Sequence, residues 1–101
     1  MYARLDDTWD LVDGLEALAF TYGRSDEPGS VARAAYLFGG ASTLRSALAV
    51  RRPALEQHDY ESAFAITRGR DVVQFDASFA LGAAASVGQV VEHALAEEVR
   101  A

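Results

Sequence analysis

The chain has 101 residues and half of them are apolar, which suits one folded domain with its own core. It contains no cysteine, so disulfides and thiolate metal sites are excluded and a reducing cytoplasm is the expected location. The formal net charge of −6 divides equally between the two halves of the chain, and we therefore expect no direct contact with nucleic acid. No segment has the roughly 20 apolar residues needed to span a bilayer, so we expect no membrane partner.

Two long helices are predicted in the first half of the chain. Apolar residues recur every three to four positions over residues 9–22 and predict the first helix. Asp7 or Thr8 is its expected N-cap, and Gly23 its expected stop in the left-handed conformation. After a loop, the second helix should begin beyond Ser30 and continue to about residue 50, where the same periodicity ends.

Three shorter helices are predicted in the second half. The first covers residues 54–68 and ends before Gly69. Residues 71–81 also alternate as in a strand, but a lone strand would have no partner, so we predict a helix there. Ser86 and Gln89 have the spacing of a capping box and open the last helix. The expected fold class is all-α, with about five antiparallel helices in tetratricopeptide-like hairpins that form a small bundle.

The stretch "YLFGGASTLR" at residues 36–45 places Gly39 and Gly40 inside the second predicted helix. A phosphate-binding loop of the common kind needs GxxxxGK[ST], and this chain contains no lysine. Glycine inside a helix costs about 1 kcal/mol relative to alanine, and close approach of a neighbouring helix would offset that cost. The pair is therefore interpreted as packing glycines.

A cluster of helix-packing residues is predicted around this pair, and no cofactor-binding residue is predicted anywhere. Its alanine and phenylalanine members follow the small–large–small spacing of the second helix in a tetratricopeptide repeat. Leu15, in the preceding helix, falls where such a repeat has a leucine. The predicted packing residues are Ala34, Phe38, Gly39, Gly40 and Ala41.

Four segments resemble a known family more specifically. They are "GLEALA" (14–19), "ARAAYLFGGASTLRSAL" (32–48), "FDASFALG" (75–82) and "SVGQVVEHAL" (86–95). Together they are similar to the C-terminal helical-repeat region of large bacterial LuxR-type ATP-dependent transcriptional regulators, a family with actinobacterial members. The resemblance implies a non-catalytic sensor or interaction scaffold, whose partner is another protein or a neighbouring domain of the same regulator.

The chain also departs from the family pattern. Gly40 stands where the family usually has alanine, and Phe79 occupies a tryptophan position. Gly88 and Gln89 replace an acidic pair after the serine cap. The ATPase motifs and the helix-turn-helix reader are absent from the sequence, so the chain looks like the tail of such a regulator, either excised or encoded alone.

Candidate residues for catalysis or metal binding are few, and we predict neither activity. His93 and Glu97 are four residues apart on the last helix, but two ligands are too few for a metal and a solvated pair is the better interpretation. His58, with Asp59 and Glu61, would need a pocket and a shifted pKa to act in acid–base catalysis. No enzymatic role is therefore expected.

Three classes of function are consistent with these patterns. The first is a helical interaction module of a transcriptional regulator that binds a protein segment in a groove between helices. The second is a self-associating structural domain, because an isolated piece of a repeat array tends to expose an apolar face. The third is a small-molecule sensor or enzyme. Two aromatic residues off the main apolar stripes, Tyr2 and Phe20, are candidate exposed contacts.

Overall fold

The computed structural model describes the backbone of residues 5–48 and 54–100, and the side chains of residues 11–48 and 56–95. Within these residues the protein is an all-α bundle, which confirms the predicted fold class. The helices are α1 (Leu5–Gly23), α2 (Ser30–Leu48), α3 (Ala54–Arg70), α4 (Val72–Ala84) and α5 (Val87–Arg100).

Helix α2 lies at the centre of the bundle. Its most extensive contacts are with α4 and α1, and α3 and α5 contact it over shorter segments. Small and apolar residues occupy most sides of this helix, so most of its circumference is buried and the buried surface is wider than one stripe. The core is formed mainly by Val12, Leu15, Ala19, Val31, Ala34, Ala35, Leu37, Phe38, Ala41, Leu44, Phe75, Val90 and Ala94.

An aromatic cluster forms around Phe38 of α2, which is fully buried. Its ring centroid lies 5.4 Å from that of Phe64, 5.6 Å from Tyr60 and 6.1 Å from Phe75. The tilted and edge-on orientations of these rings are those that aromatic pairs prefer. Side chains of α3 and α4 thereby join the same core as α2.

The predicted exposure of Phe20 is wrong. This side chain is half-buried, and its ring centroid lies 5.8 Å from Phe38 and 6.3 Å from Tyr60. Because α3 covers this side of α1, a residue off the main stripe of α1 becomes part of a second contact surface. Tyr2, the other candidate exposed aromatic, lies outside the described residues.

Helix α1 begins four residues earlier than the sequence predicts. Asp7 and Thr8 therefore lie inside its first turns, and neither is its N-cap. The sequence from Leu5 onward contains no glycine or proline before Gly14, and carboxylates near a helix N-terminus interact favourably with its dipole. The early start follows from these two properties.

Gly23 ends α1 as predicted, but for a different reason. Among the described glycines only Gly29 has a positive φ, of 83°, so Gly23 is not in the left-handed conformation. A Cβ at Gly23 would overlap the hydroxyl of Thr67 on α3. Its carbonyl oxygen accepts a hydrogen bond from Nη1 of Arg70 at 2.7 Å. The glycine thus allows the end of α1 to contact the end of α3.

The other helix ends partly agree with the sequence. Helix α2 begins at Ser30, and the predicted end near residue 50 lies outside the described residues. Helix α3 continues through Gly69 to Arg70, so the predicted stop before Gly69 is wrong. The chain turns instead at Asp71, whose extended backbone (φ −162°, ψ 90°) ends α3.

The segment after this turn is a helix, and the strand alternative is excluded. The side chain of Asp71 caps α4 by accepting a hydrogen bond from the Gln74 amide at 3.0 Å. At the start of α5 the predicted capping box is confirmed. The Gln89 amide donates to Oγ of Ser86 at 3.1 Å, and the Ser86 amide donates to Oε1 of Gln89 at 2.9 Å.

Candidate functional site

Gly39 lies at a close approach of the α2 and α4 backbones. A Cβ on Gly39 would overlap the carbonyl oxygen of Phe79 and lie 2.8 Å from the backbone nitrogen of Ala83. Gly82 makes the reciprocal contact, because a Cβ there would overlap the carbonyl oxygen of Tyr36. The two backbones are in direct contact at these glycines, which leaves no space for a phosphate or any other ligand.

The remaining residues of the predicted packing cluster are also inside the protein. A Cβ on Gly40 would lie 2.6 Å from Cγ2 of Val90, so this glycine faces α5. Ala34, Phe38 and Ala41 are buried in the core. These residues hold α2 against its neighbours and have no surface to offer to a partner.

Gly82 was missed by the sequence analysis. The predicted fourth helix ended at residue 81, one residue before this glycine. It lies inside α4 and is buried. Next to it, Oγ1 of Thr43 donates a hydrogen bond to the Ala83 carbonyl oxygen at 2.8 Å, which joins α2 to α4 a second time.

An open groove of about 490 Å³ lies between α1 and α5, and we call it the α1–α5 groove. Its α1 side runs from residue 11 to residue 21, a length of about 15 Å at the rise of an α-helix. It is lined by Leu11, Gly14, Leu15, Ala17, Leu18, Thr21, Val91, Ala94 and Leu95.

Gly14 differs from the packing glycines. It lies in the interior of α1, yet among the described residues no atom beyond its chain neighbours and the backbone of its own helix lies within 4 Å of the position that a Cβ would occupy. The helix therefore bears the cost of a glycine, about 1 kcal/mol relative to alanine, without any internal contact that requires it. The missing side chain opens the α1–α5 groove at this point.

The lining of the α1–α5 groove is almost entirely apolar. Leu11 and Leu18 are half-buried and pack against the core, whereas Leu95 on the opposite wall is 58% exposed. Thr21 is the one polar side chain among the described lining residues, and its hydroxyl donates to the Ala17 carbonyl oxygen at 3.0 Å. These described residues offer apolar contacts to an occupant and no group placed for acid–base or nucleophilic chemistry.

A buried ion pair fixes α1, one wall of the groove, to α2. Nε and Nη2 of Arg45 donate to the two carboxylate oxygens of Glu16 at 3.2 and 3.0 Å. Only 11% of the Arg45 side chain and 8% of the Glu16 side chain are exposed. Asp13, which is 71% exposed, accepts a further bond from Nη2 of Arg45 at 3.3 Å. This bidentate arrangement favours one orientation of α1 on α2.

The histidines occupy unrelated positions. His93 is half-buried and stacks on Tyr36, with ring centroids 4.4 Å apart. Its predicted solvated pair with Glu97 stays a prediction. The Glu97 side chain lies outside the described residues. His58 is exposed on α3, as are its neighbours Asp59 and Glu61. Among the described residues, no group of three potential ligands could hold a metal ion.

A second ion pair joins α3 to α4 at the surface. Arg68 donates to both carboxylate oxygens of Asp76, at 2.8 and 2.9 Å. These hydrogen bonds lower the pKa of Asp76 below its ordinary value, and the same contact raises the pKa of Arg68. Because both side chains are about half exposed, solvent screens the pair and its contribution to stability is small.

Comparison with protein-family models, with curated proteins and with solved structures found no match for the chain. Of the helices in residues 5–48 and 54–100, none combines the length and apolarity that crossing a membrane requires.

Proposed function

We propose that this protein is a non-catalytic interaction domain that binds an apolar helical segment of a protein partner in the α1–α5 groove. The observation that carries this proposal is Gly14, a glycine inside a helix whose open side faces an apolar groove. A partner helix can approach the bare backbone there as closely as α4 approaches Gly39. Amphipathic helices bind in grooves of this kind through apolar residues repeated every three to four positions.

The resemblance to LuxR-type regulators supports a biological setting for this activity. In this proposal the chain serves a bacterial transcriptional regulator in the cytoplasm, and its partner is another protein or a neighbouring domain of that regulator. The small–large–small spacing of Ala34, Phe38 and Ala41 supports a tetratricopeptide-like origin of the α1–α2 pair.

A small-molecule sensor is a weaker interpretation of the same groove. Its volume is in the range of ligand pockets, which are about 300–1,000 Å³. Such pockets also contain a few convergent polar groups that orient the ligand. Among the residues that the structure describes, the α1–α5 groove provides Thr21 alone, and its hydroxyl already donates to the backbone of α1.

Blocking the groove at Gly14 should abolish binding of a helical peptide. Peptides would be selected on the protein from a library of amphipathic helices whose stripe varies among apolar residues and whose flanks are all glutamine. We expect Gly14→Gln to weaken the selected peptides at least about tenfold, because its side chain fills the centre of the groove. Fluorescence anisotropy of labelled peptides measures the change.

Gly69→Gln is the matched control, since Gly69 is also exposed, lies in a helix and has nothing within 4 Å of its Cβ position. It does not line the α1–α5 groove, so binding should be unchanged. A library that yields no binder, or binders that Gly14→Gln and Gly69→Gln affect equally, would refute the proposed function.

Self-association is a second candidate function, and the outer face of α4 favours it. Val73 is 82% exposed and Leu81 is 67% exposed. Ala77, Ala80 and Ala84 lie along the same side of the helix at helical spacing and are exposed as well. An apolar stripe opposite the face that packs on α2 is typical of a helix that contacts another molecule.

If this face forms a homodimer, light scattering after size exclusion should give twice the monomer mass at micromolar concentration. We expect Val73→Glu combined with Leu81→Glu to give a monomer, because two buried carboxylates would lack partners. Leu95→Glu, which places the same charge in the α1–α5 groove, should leave the dimer intact. A monomeric parent protein, or a dimer that persists in the α4 variant, would contradict this second candidate.

A further inference from the structure

The negative charge of this protein is concentrated on the two helices that form the α1–α5 groove. Helices α1 and α5 together contain eight carboxylates and one arginine, a formal charge of −7. The rest of the chain contains seven carboxylates and eight arginines, which gives +1. The equal division of charge between the two halves of the sequence conceals this, because α1 and α5 come from opposite ends of the chain.

Helix α1 contains no basic residue at all. One of its carboxylates, Glu16, is neutralised inside the protein by Arg45. Asp13, adjacent to Gly14 in the chain, is 71% exposed and also accepts a hydrogen bond from Arg45. On α5, Glu92 is exposed and lines a separate surface pocket with Tyr36 and Leu81, outside the lining of the α1–α5 groove. Even when the positive charge of Arg45 is added to the −7 of α1 and α5, the formal charge around the groove is −6.

We propose that the α1–α5 groove selects an amphipathic helix whose apolar stripe is flanked by arginine or lysine. This specificity rests on the proposed function of the groove and adds the chemistry of the partner. Complementary charges at the rim of an interface accelerate association and exclude partners of the wrong sign, while the apolar stripe provides most of the affinity. Arginine and lysine also suit the rim because their alkyl stems can lie over the leucines of the walls.

The same charge distribution disfavours other occupants. Nucleic acid and anionic lipid surfaces are repelled by helices with a formal charge of −7. Two copies that met groove to groove would oppose identical acidic walls. A basic amphipathic helix is the occupant whose charge and apolar surface both match this site.

The test varies only the flanks of one peptide. A peptide selected from the glutamine-flanked library is synthesised in two further forms, which keep its apolar stripe and replace the glutamine flanks with arginine or with glutamate. All three peptides have about 18 residues, which is long enough to form a helix in water. At about 50 mM salt we expect the arginine peptide to bind about tenfold more tightly than the glutamine peptide, and the glutamate peptide about tenfold more weakly. At about 500 mM salt these differences should shrink to about threefold or less.

A pair of protein variants separates the charge of helices α1 and α5 from the net charge of the molecule. Asp13→Asn with Glu92→Gln removes two exposed carboxylates from α1 and α5, and should reduce the preference for arginine flanks at least about threefold. Glu56→Gln with Asp59→Asn removes two exposed carboxylates from α3 and changes the net charge equally. This second pair should leave the preference unchanged.

The outcomes distinguish the two proposals. If all three peptides bind equally and Gly14→Gln still abolishes binding, the groove binds helices and the charge selectivity is refuted. The charge selectivity is also refuted if the two double variants reduce the preference for arginine flanks equally, because the attraction would then depend on net charge alone. If none of the three peptides binds, or if Gly14→Gln weakens the binding of none of them, the proposed function and the charge selectivity are both refuted.

Discussion

Gly39→Ala should destabilise the protein, whereas Gly14→Ala should stabilise it. Both glycines lie inside long helices, so the gain in helix propensity is the same at the two sites, up to about 1 kcal/mol. At Gly14 nothing opposes that gain, because the Cβ projects into open space. At Gly39 the Cβ would overlap the backbone of α4 at Phe79 and Ala83.

The expected cost at Gly39 is large because backbone atoms cannot rotate away as a side chain can. Separating α2 from α4 would also disturb the reciprocal contact at Gly82 and the hydrogen bond from Thr43 to Ala83. We expect Gly39→Ala to lower the free energy of unfolding by about 1–3 kcal/mol, typical of an overpacked core. Gly39→Leu should cost more than about 3 kcal/mol and leave little folded protein.

Urea denaturation followed by far-ultraviolet circular dichroism measures these changes as shifts in the transition midpoint at constant slope. Gly14→Ala serves as the control for helix propensity, since it makes the same substitution one helix away. A Gly39→Ala or Gly39→Leu protein as stable as the parent would show that α2 and α4 do not meet at this glycine.

Arg45→Met should destabilise the protein by about 3–5 kcal/mol, the usual effect of removing one partner from a buried ion pair. The substitution removes the guanidinium that donates to both carboxylate oxygens of Glu16, in a site with little access to water. Methionine fills a similar volume, so lost packing contributes less than the lost charge.

The double variant Arg45→Met with Glu16→Leu tests whether charge is the cause. With both charges gone, no buried carboxylate lacks its counterion, and we expect most of the lost stability to return. Arg68→Met, at the half-exposed pair with Asp76, is the surface control and should change stability little. If the double variant were as unstable as Arg45→Met alone, shape and not charge would determine the stability of the α1–α2 contact.

Local rules were sufficient for much of the fold. The period of the apolar residues predicted α1 and α2, and the lack of a partner strand favoured a helix at α4. The Ser86–Gln89 capping box at the start of α5 was confirmed with both of its hydrogen bonds. Helix caps and amphipathic periods depend on residues within a few positions of one another, so a single sequence contains the information. The predicted start of α1 at residue 9 and the predicted end of α3 before Gly69 were wrong. The local signals that begin and end a helix are weak, and neighbouring positions can serve equally well.

Side-chain environments were harder to predict. Phe20 was predicted to be exposed because it lies off the apolar stripe of α1, but α3 covers it. His93 was interpreted as a partner of Glu97, and its stacking on Tyr36 of α2 was not predicted. A residue off the main stripe is buried whenever a third helix covers that side, and no local pattern reports which helix will do so.

The sequence by itself determined that the chain is helical, approximately where its helices lie, and that Gly14, Gly39 and Gly40 lie inside two of them. Only the tertiary structure decided what those glycines do: Gly39 and Gly82 let two backbones touch, whereas Gly14 opens a groove to solvent. It also brought the acidic helices α1 and α5 together from opposite ends of a chain whose two halves carry equal charge. The roles of the glycines and the pairing of α1 with α5 have the same physical reason. Contacts between segments that are distant in sequence decide which helices are neighbours, and the apolar period within one helix does not depend on those contacts.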